Sequence, residues 1–184
     1  MYQAFKARAE QVSAEVFRYA SRDQAVEFVL DFLRAEGVAD APGARALWAS
    51  GSYLDGIDQE ELGRRAPGLG FEVTRETAAA ARIGLSQMDW GLADTGTLAQ
   101  NSTAVEQRLV STLPEIHVAL LQTGAILPDL PALLDRIDPA RMPYLALITG
   151  PSRTADIERV LTIGVHGPYR LIIVCVDEPP EVTS

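Results

Sequence analysis

The chain has 184 residues, 47% hydrophobic and 22% charged, with a formal net charge of -9 at pH 7. That length suits one domain with a proper core, and the usage is that of an ordinary soluble globular protein. The acidic balance has no local basic stripe to offset it and would repel a phosphate backbone, which argues against a nucleic-acid partner.

Phe5, Ala9 and Val12 share one helical face and predict a short first helix. Residues 15–19, Glu-Val-Phe-Arg-Tyr, fit either its continuation or a strand. Ser21, with Gln24 three residues on, has the pattern of a capping box. Val26, Val29, Leu30 and Leu33 then form an apolar stripe that Phe28 and Phe32 widen and Gly37 ends. Residues 46–49 read as a short buried strand, 50–58 as a polar segment, 58–65 as a helix stopping before Pro67, and 70–74 as an alternating strand. The small-residue run 77–81 has no strong period and is expected to be a loop leading to Arg82.

Two short apolar runs, 90–93 and 97–100, flank Asp94-Thr95-Gly96, the pattern of a hairpin or a sharp strand bend. Residues 106–113 predict a helix ending at Pro114. Residues 116–121 predict a strand with His117 on the face of Ala119 and Leu121. Asp129 is placed to cap a helix through Arg136, and Pro139 and Pro143 punctuate the approach to an apolar run at 144–148. That run ends in Thr149-Gly150-Pro151, after which Ser152-Arg153-Thr154 is expected to open an amphipathic helix. Strand, tight turn and helix start together read as the half-unit of a parallel α/β sheet. A turn at 164–168 leads to the last strand, 171–176, and the tail 177–184 is expected to be loose. Several strands are continuously apolar, as in a sheet covered on both faces. The reading is one α/β domain over residues 1–184.

Several chemistries lack the residues they need. The sixteen basic residues are fifteen arginines and one lysine, Lys6, so a Schiff-base or phosphate-loop lysine has no candidate in the body of the chain. Cys175 is the single thiol, inside an apolar run, and reads as a small buried hydrophobe. One thiol cannot hold an iron–sulfur cluster, and His117 and His166 have no metal-ligand spacing. No dinucleotide glycine pattern is present either, so neither a metal nor a cofactor is expected, and the isolated chain should be colourless. No apolar run approaches the ~20 residues that span a bilayer. The opening MYQAFKARAEQ lacks the apolar stretch of a signal peptide, so a cytoplasmic location is expected.

Candidate site residues fall in three groups. A helix start at Ser152, Arg153 and Thr154 would offer free N–H groups and a guanidinium to a small carboxylate or phosphate, near strand carboxyl ends where such ligands bind. The plain alternative is that Ser152 or Thr154 only caps the helix, with Asp156 and Glu158 favoured by its dipole. Asp94, Thr95, Gly96 and Thr97 offer a carboxylate, two hydroxyls and a close backbone approach to a polar ligand. Equally, Asp94 reads as the start of an Asx-turn with Gly96 at positive φ. Glu106 and Arg108 would line the same crevice or form a weak surface pair. Among acid–base candidates, Asp94 and His166 stand out, His166 lying between two glycines in a turn. His117, on an apolar strand, reads as a satisfied core histidine. The Asn101-Ser102-Thr103 sequon has no secretory context and is not expected to be glycosylated.

Three blocks carry a family resemblance: ADTGTL at 93–98, RLVSTLPEIHVALL at 108–121 and ITGPSRTADIERVLTIGVHGP at 148–168. In order and spacing the chain resembles the lactate utilisation protein C family, the group with the LUD domain, from about Phe5 to its end. The resemblance favours a strand at 15–19. It implies the three-layer α/β/α arrangement, with a mostly parallel sheet, shared with sugar-phosphate isomerases and coenzyme A transferases. It also implies a subunit acting beside two iron–sulfur partner proteins that oxidise L-lactate to pyruvate. It brings no settled catalytic roles. Two other functions stay open at this point: an independent enzyme of that fold, and a small-anion-binding module. The missing phosphate loop and lysine weigh against the first of these.

Overall fold

A computed structural model describes residues 1–138, 140–154, 162–163 and 166–177. Its centre is a six-stranded, wholly parallel sheet. The strands are β1 (Glu15–Tyr19), β2 (Arg45–Trp48), β3 (Leu69–Gly70), β4 (Ala81–Met88), β7 (Ile116–Gln122) and β12 (Arg170–Val176), in the spatial order β1-β12-β7-β4-β2-β3. A second sheet holds β5 (Trp90–Leu92), β6 (Thr97–Asn101), β8 (Ile126–Leu127) and β9 (Leu145–Ile148), in the order β8-β5-β6-β9. β10 (Arg153–Thr154) and β11 (Thr162–Ile163) form a small antiparallel pair.

The helices are α1 (Tyr2–Gln11), α2 (Arg22–Ala35), α3 (Gln59–Arg65), α4 (Arg75–Ala80), α5 (Val105–Thr112) and α6 (Leu130–Leu134). Strand side chains alternate between faces, and both faces of the main sheet are covered, which explains the unbroken apolar runs. On one face Leu85, Val118, Leu120 and Val174 pack with Val29, Leu30 and Leu33 of α2 and Leu62 of α3. On the other, Ala119, Leu121, Ile173 and Cys175 pack with Phe5 and Ala9 of α1 and with Leu98 and Ile126 of the second sheet. Val110 of α5 and Ala78 of α4 cover Leu47 and Ala81 nearby. The expected α/β class with a mostly parallel sheet between layers is what the chain adopts.

Most predicted elements are present. Ser21 caps α2 by accepting from Gln24 N, while the Gln24 side chain reaches Ala20 N rather than closing the box on Ser21. Asp58 caps α3, Asp129 caps α6, and residues 90–100 form an antiparallel hairpin.

Four expectations are corrected. The strand expected at 70–74 is only Leu69–Gly70, and the loop expected at 77–81 is helix α4. Thr74 and Thr77 cap that helix reciprocally, hydroxyl to backbone in both directions, which takes Thr74 out of the strand and starts an alanine-rich turn of high helix propensity. The run 144–148 is not part of the parallel sheet: β9 pairs antiparallel with β6, Leu98 opposite Ile148. It lies at the edge of the second sheet with Leu147 47% exposed, whereas the apolar pattern alone looked like a buried strand. Finally, Arg153 and Thr154 do not open a helix but form β10. Ser152 N–H donates to Pro168 O at 2.8 Å, which ties this segment alongside the entry to β12 in extended form. The remainder of the expected helix, with Asp156 and Glu158, and the tail 178–184 lie outside the described residues.

Candidate functional site

A cleft of about 350 Å³ opens where β7 and β12 begin. Three segments meet there: the turn after β9, the turn before β12 and the last turn of α5. The turns are pinned to the strand entries, Ser152 by its bond to Pro168 O and Tyr169 N–H by donation to Glu115 O at 2.8 Å. Thr112, Thr149, Ser152, Arg153, His166 and, at the strand entry, His117 contribute to the lining. No described carboxylate lines it, and Arg153 is the guanidinium among its described lining residues. The cleft therefore lies at the amino ends of the parallel strands. The sequence placed Ser152, Arg153 and Thr154 near carboxyl ends because it took 144–148 for a strand of the main sheet.

Arg153 is exposed, and its Nη2 donates to Val12 O at 2.7 Å and Ser13 Oγ at 3.0 Å. It thereby ties the cleft rim to the turn between α1 and β1. His166 is exposed on the rim, and Thr154 is the second residue of β10. His117 is buried (1% exposed), and its Nε2 lies 2.8 Å from Ser86 Oγ on β4. Burial penalises the imidazolium and holds the pKa down at about 4, so this imidazole is neutral at neutral pH.

The 94–97 turn sits beside the cleft and is joined to it by hydroxyls. Thr97 Oγ1 lies 2.8 Å from Thr149 Oγ1 and donates to Thr95 Oγ1 at 2.8 Å, and Thr95 Oγ1 donates to Asp94 Oδ1 at 3.2 Å. A relay of three threonine hydroxyls thus runs from the cleft rim to an exposed carboxylate. Asp94 accepts from the Thr95 hydroxyl rather than from its own following backbone, so its side chain does not make the Asx-turn bond. Gly96 takes φ +70° and Gly150 takes φ +71°, and both lie directly against backbone of α1 and the residue after it. These glycines are where α1 and the two turns interlock.

Glu106 and Arg108 stand apart from this group. Glu106 is exposed in the first turn of α5, whereas the cleft meets the last turn, at Ser111 and Thr112. Arg108 donates to the carbonyls of Ser102 and Thr103, and its guanidinium lies 4.6 Å from the centre of the Tyr144 ring. It holds the β6–α5 loop against the segment before β9. Around that loop lies a polar network near the carboxyl ends of β2 and β4: Gln100 Nε2 donates to Gln107 Oε1, Gln107 Nε2 to Ser50 O, and Ser52 Oγ to Gln87 Oε1.

The sequence reading passed over Ser86 and Thr149 and gave His117 only a core role. The available signal was small: a serine in an otherwise apolar strand, one strand away from a histidine at a strand entry. It becomes legible only once β4 is known to pair with β7, Ser86 opposite Ala119 and therefore on the face of His117. Among the described residues no cluster of three His, Cys, Asp or Glu is placed to hold a metal ion, and no helix is long and apolar enough to cross a membrane.

Fold and motif together define an α/β protein whose glycine turns lock onto its first helix. Residues 2–176 match the LUD domain family model, and the chain belongs to that family. "Lactate utilization protein C" of an Exiguobacterium species is 36% identical over 114 residues, 58% of this chain and 49% of that protein. "Lactate utilization protein C 1" of Bacillus mycoides is 36% identical over 124 residues, 62% and 52%. An Escherichia coli protein called YkgG is 33% identical over 107 residues, 55% and 46%. The chain thus spans about half the length of the curated relatives it matches. A crystal structure of a DUF162 family protein from Deinococcus radiodurans superposes with a TM-score of 0.64 over 95% of each chain at 17% identity, which shows a shared fold.

Proposed function

We propose that this protein takes part in lactate utilisation, as a component of a bacterial system that oxidises L-lactate to pyruvate with iron–sulfur partner proteins. The observation that carries the reading is the family match over residues 2–176, together with relatives named for lactate utilisation. A single buried thiol supports a component that holds no iron–sulfur cluster of its own, since such a cluster takes about four ligands. The partners would supply the redox centres. In this reading the cleft rim, with Ser152, Arg153 and His166, is the functional face, and the Asp94–Thr95–Thr97 relay adjoins it.

Deleting the gene should abolish growth on L-lactate as sole carbon source and leave growth on glucose intact. Affinity capture of the tagged protein from lactate-grown cells should bring down iron in excess of the isolated chain. Unimpaired growth of the deletion strain on lactate would remove the proposal. Arg153→Ala supplies a finer test. The change removes two hydrogen bonds at an exposed position, worth about 1 kcal/mol or less, so the melting temperature should fall by no more than roughly 4 °C. Growth on lactate should nevertheless slow markedly. Normal growth at wild-type protein levels would show that Arg153 only braces the turn.

A further inference from the structure

The Ser86–His117 pair lies buried on adjoining strands of the main sheet, and its histidine lines the cleft. Ser86 is 0% exposed, and its hydroxyl makes one described contact, to His117 Nε2. If Nε2 carried the proton, the Ser86 hydroxyl hydrogen would have no acceptor in a site that water does not reach, and a buried donor left unmade costs its full desolvation. The satisfied arrangement has Ser86 O–H donating to Nε2, which places the imidazole proton on Nδ1. No described residue accepts from Nδ1. A 1% exposed ring that lines a cleft therefore presents a donor without a partner among the described residues.

An unfilled donor selects an acceptor, and the rest of the lining selects its charge. The cleft holds the Arg153 guanidinium and the hydroxyls of Thr112, Thr149 and Ser152, with no described carboxylate to oppose an anion. Among the described contacts Nη2 is the Arg153 nitrogen engaged by the α1–β1 turn, and the guanidinium carries further N–H donors on Nε and Nη1. One guanidinium offsets one negative charge, and the volume of about 350 Å³ is at the small end of ligand sites. We propose that this cleft binds a small monocarboxylate, with His117 Nδ1–H donating to a ligand oxygen, Ser86 fixing the tautomer and Arg153 balancing the charge. The choice of a carboxylate of the lactate or pyruvate class rests on the function proposed above. The tautomer and the donor rest on geometry alone.

The test uses the full chain, labelled with nitrogen-15, and long-range proton–nitrogen correlation of the imidazoles at pH 7. In the free protein His117 should appear as the neutral Nδ1–H form. Titration with sodium pyruvate or L-lactate should move the Nδ1 resonance and saturate, while inorganic phosphate at equal concentration leaves it in place. His117→Ala should weaken pyruvate or lactate binding at least tenfold. Ser86→Ala, which retains the ring but frees its tautomer, should weaken binding several-fold and shift the free ring toward the Nε2–H form, a change that a merely structural serine would not produce. An Nε2–H tautomer in the wild-type protein, a resonance unmoved by either carboxylate, or an equal response to phosphate would each overturn the proposal, and all three are read on wild-type protein should a variant fail to fold. A strain that needs the gene for growth on lactate, with His117 unmoved by lactate and pyruvate, would remove this inference and leave the proposed function standing. The converse result would do the reverse.

Discussion

Lowering the pH from 7 to 4 should cost this protein about 3 kcal/mol of stability through His117 alone. Burial holds the His117 imidazole at about 4 in the folded chain, against 6.5 ordinarily, because the cation would lose its hydration between β4, β12 and the cleft floor. The folded-state value lies below the unfolded one. Above pH 6.5 both states are neutral there and the full stability is present. Between 6.5 and about 4 the unfolded chain takes up a proton that the folded chain refuses, so stability falls with pH, and below about 4 this contribution levels off. The slope is about 1.4 kcal/mol per pH unit over that window.

Urea unfolding of the wild type and of His117→Gln at pH 7, 6, 5 and 4 isolates the effect. Glutamine keeps a partner for Ser86 but cannot titrate. Glu27 and Asp177, held below their usual range chiefly by hydrogen bonds from Arg65 and Arg18, lose stability only at more acidic pH and do so in both chains. Asp89, raised by burial, acts in the opposite direction, again in both. The gap between the two chains should therefore change by about 3 kcal/mol between pH 7 and pH 4, and parallel stability curves would show that His117 is not buried as a neutral ring.

The elements that sequence reasoning located were those whose local chemistry is self-contained. Ser21 and Gln24, Asp58 and Asp129 carry their own caps, and Asp94-Thr95-Gly96 carries its own turn. Helix α4 was equally local, yet Thr74 and Thr77 are not the usual acidic capping pair, and the alanines that follow them have no polar face to give a period. The misplaced pieces were those decided by pairing partners distant in sequence. Residues 144–148 read as a strand of the parallel sheet because apolar content does not say which sheet a strand joins, and β6 claimed 145–148. Arg153 and Thr154 read as a helix start because serine and threonine at a turn favour a cap. A backbone bond from Ser152 to Pro168, next to β12, decided for extended chain. The same limit hid the Ser86–His117 pair, 31 residues apart and adjacent only after β4 and β7 are aligned. Of the candidate site, Ser152, Arg153 and His166 do share one cleft, with Thr97 joined to its rim through Thr149; Glu106 and Arg108, on the early turns of α5, do not.

Gly96→Ala should lower stability by about 3 kcal/mol or more, although it adds one methyl to a hairpin turn. Two separate costs combine. At φ +70° a Cβ is disfavoured by about 1–2 kcal/mol against glycine. The added carbon would also sit only 2.6 Å from Ala9 Cα and Arg8 C, atoms of the α1 backbone that cannot rotate away as a side-chain tip would. Relief requires moving α1, and Phe5 and Ala9 of that helix are fully buried against Ala119, Leu121 and Ile173. Gly43→Ala separates the two costs, since Gly43 has φ +75° and nothing within 4 Å of where its Cβ would stand. That variant should lose only the conformational share. At roughly 2–4 °C per kcal/mol for a chain of this size, thermal melts should put Gly96→Ala about 10 °C below wild type and Gly43→Ala about 5 °C below it. Thr95→Ala, at an exposed hydroxyl of the same turn, should stay close to wild type in stability. Equal losses for the two glycine variants would mean that the turn does not bear on α1. The glycine of the ADTGTL block would then owe its place to its positive φ alone, whereas the expected inequality makes it the point where the hairpin is locked to the first helix.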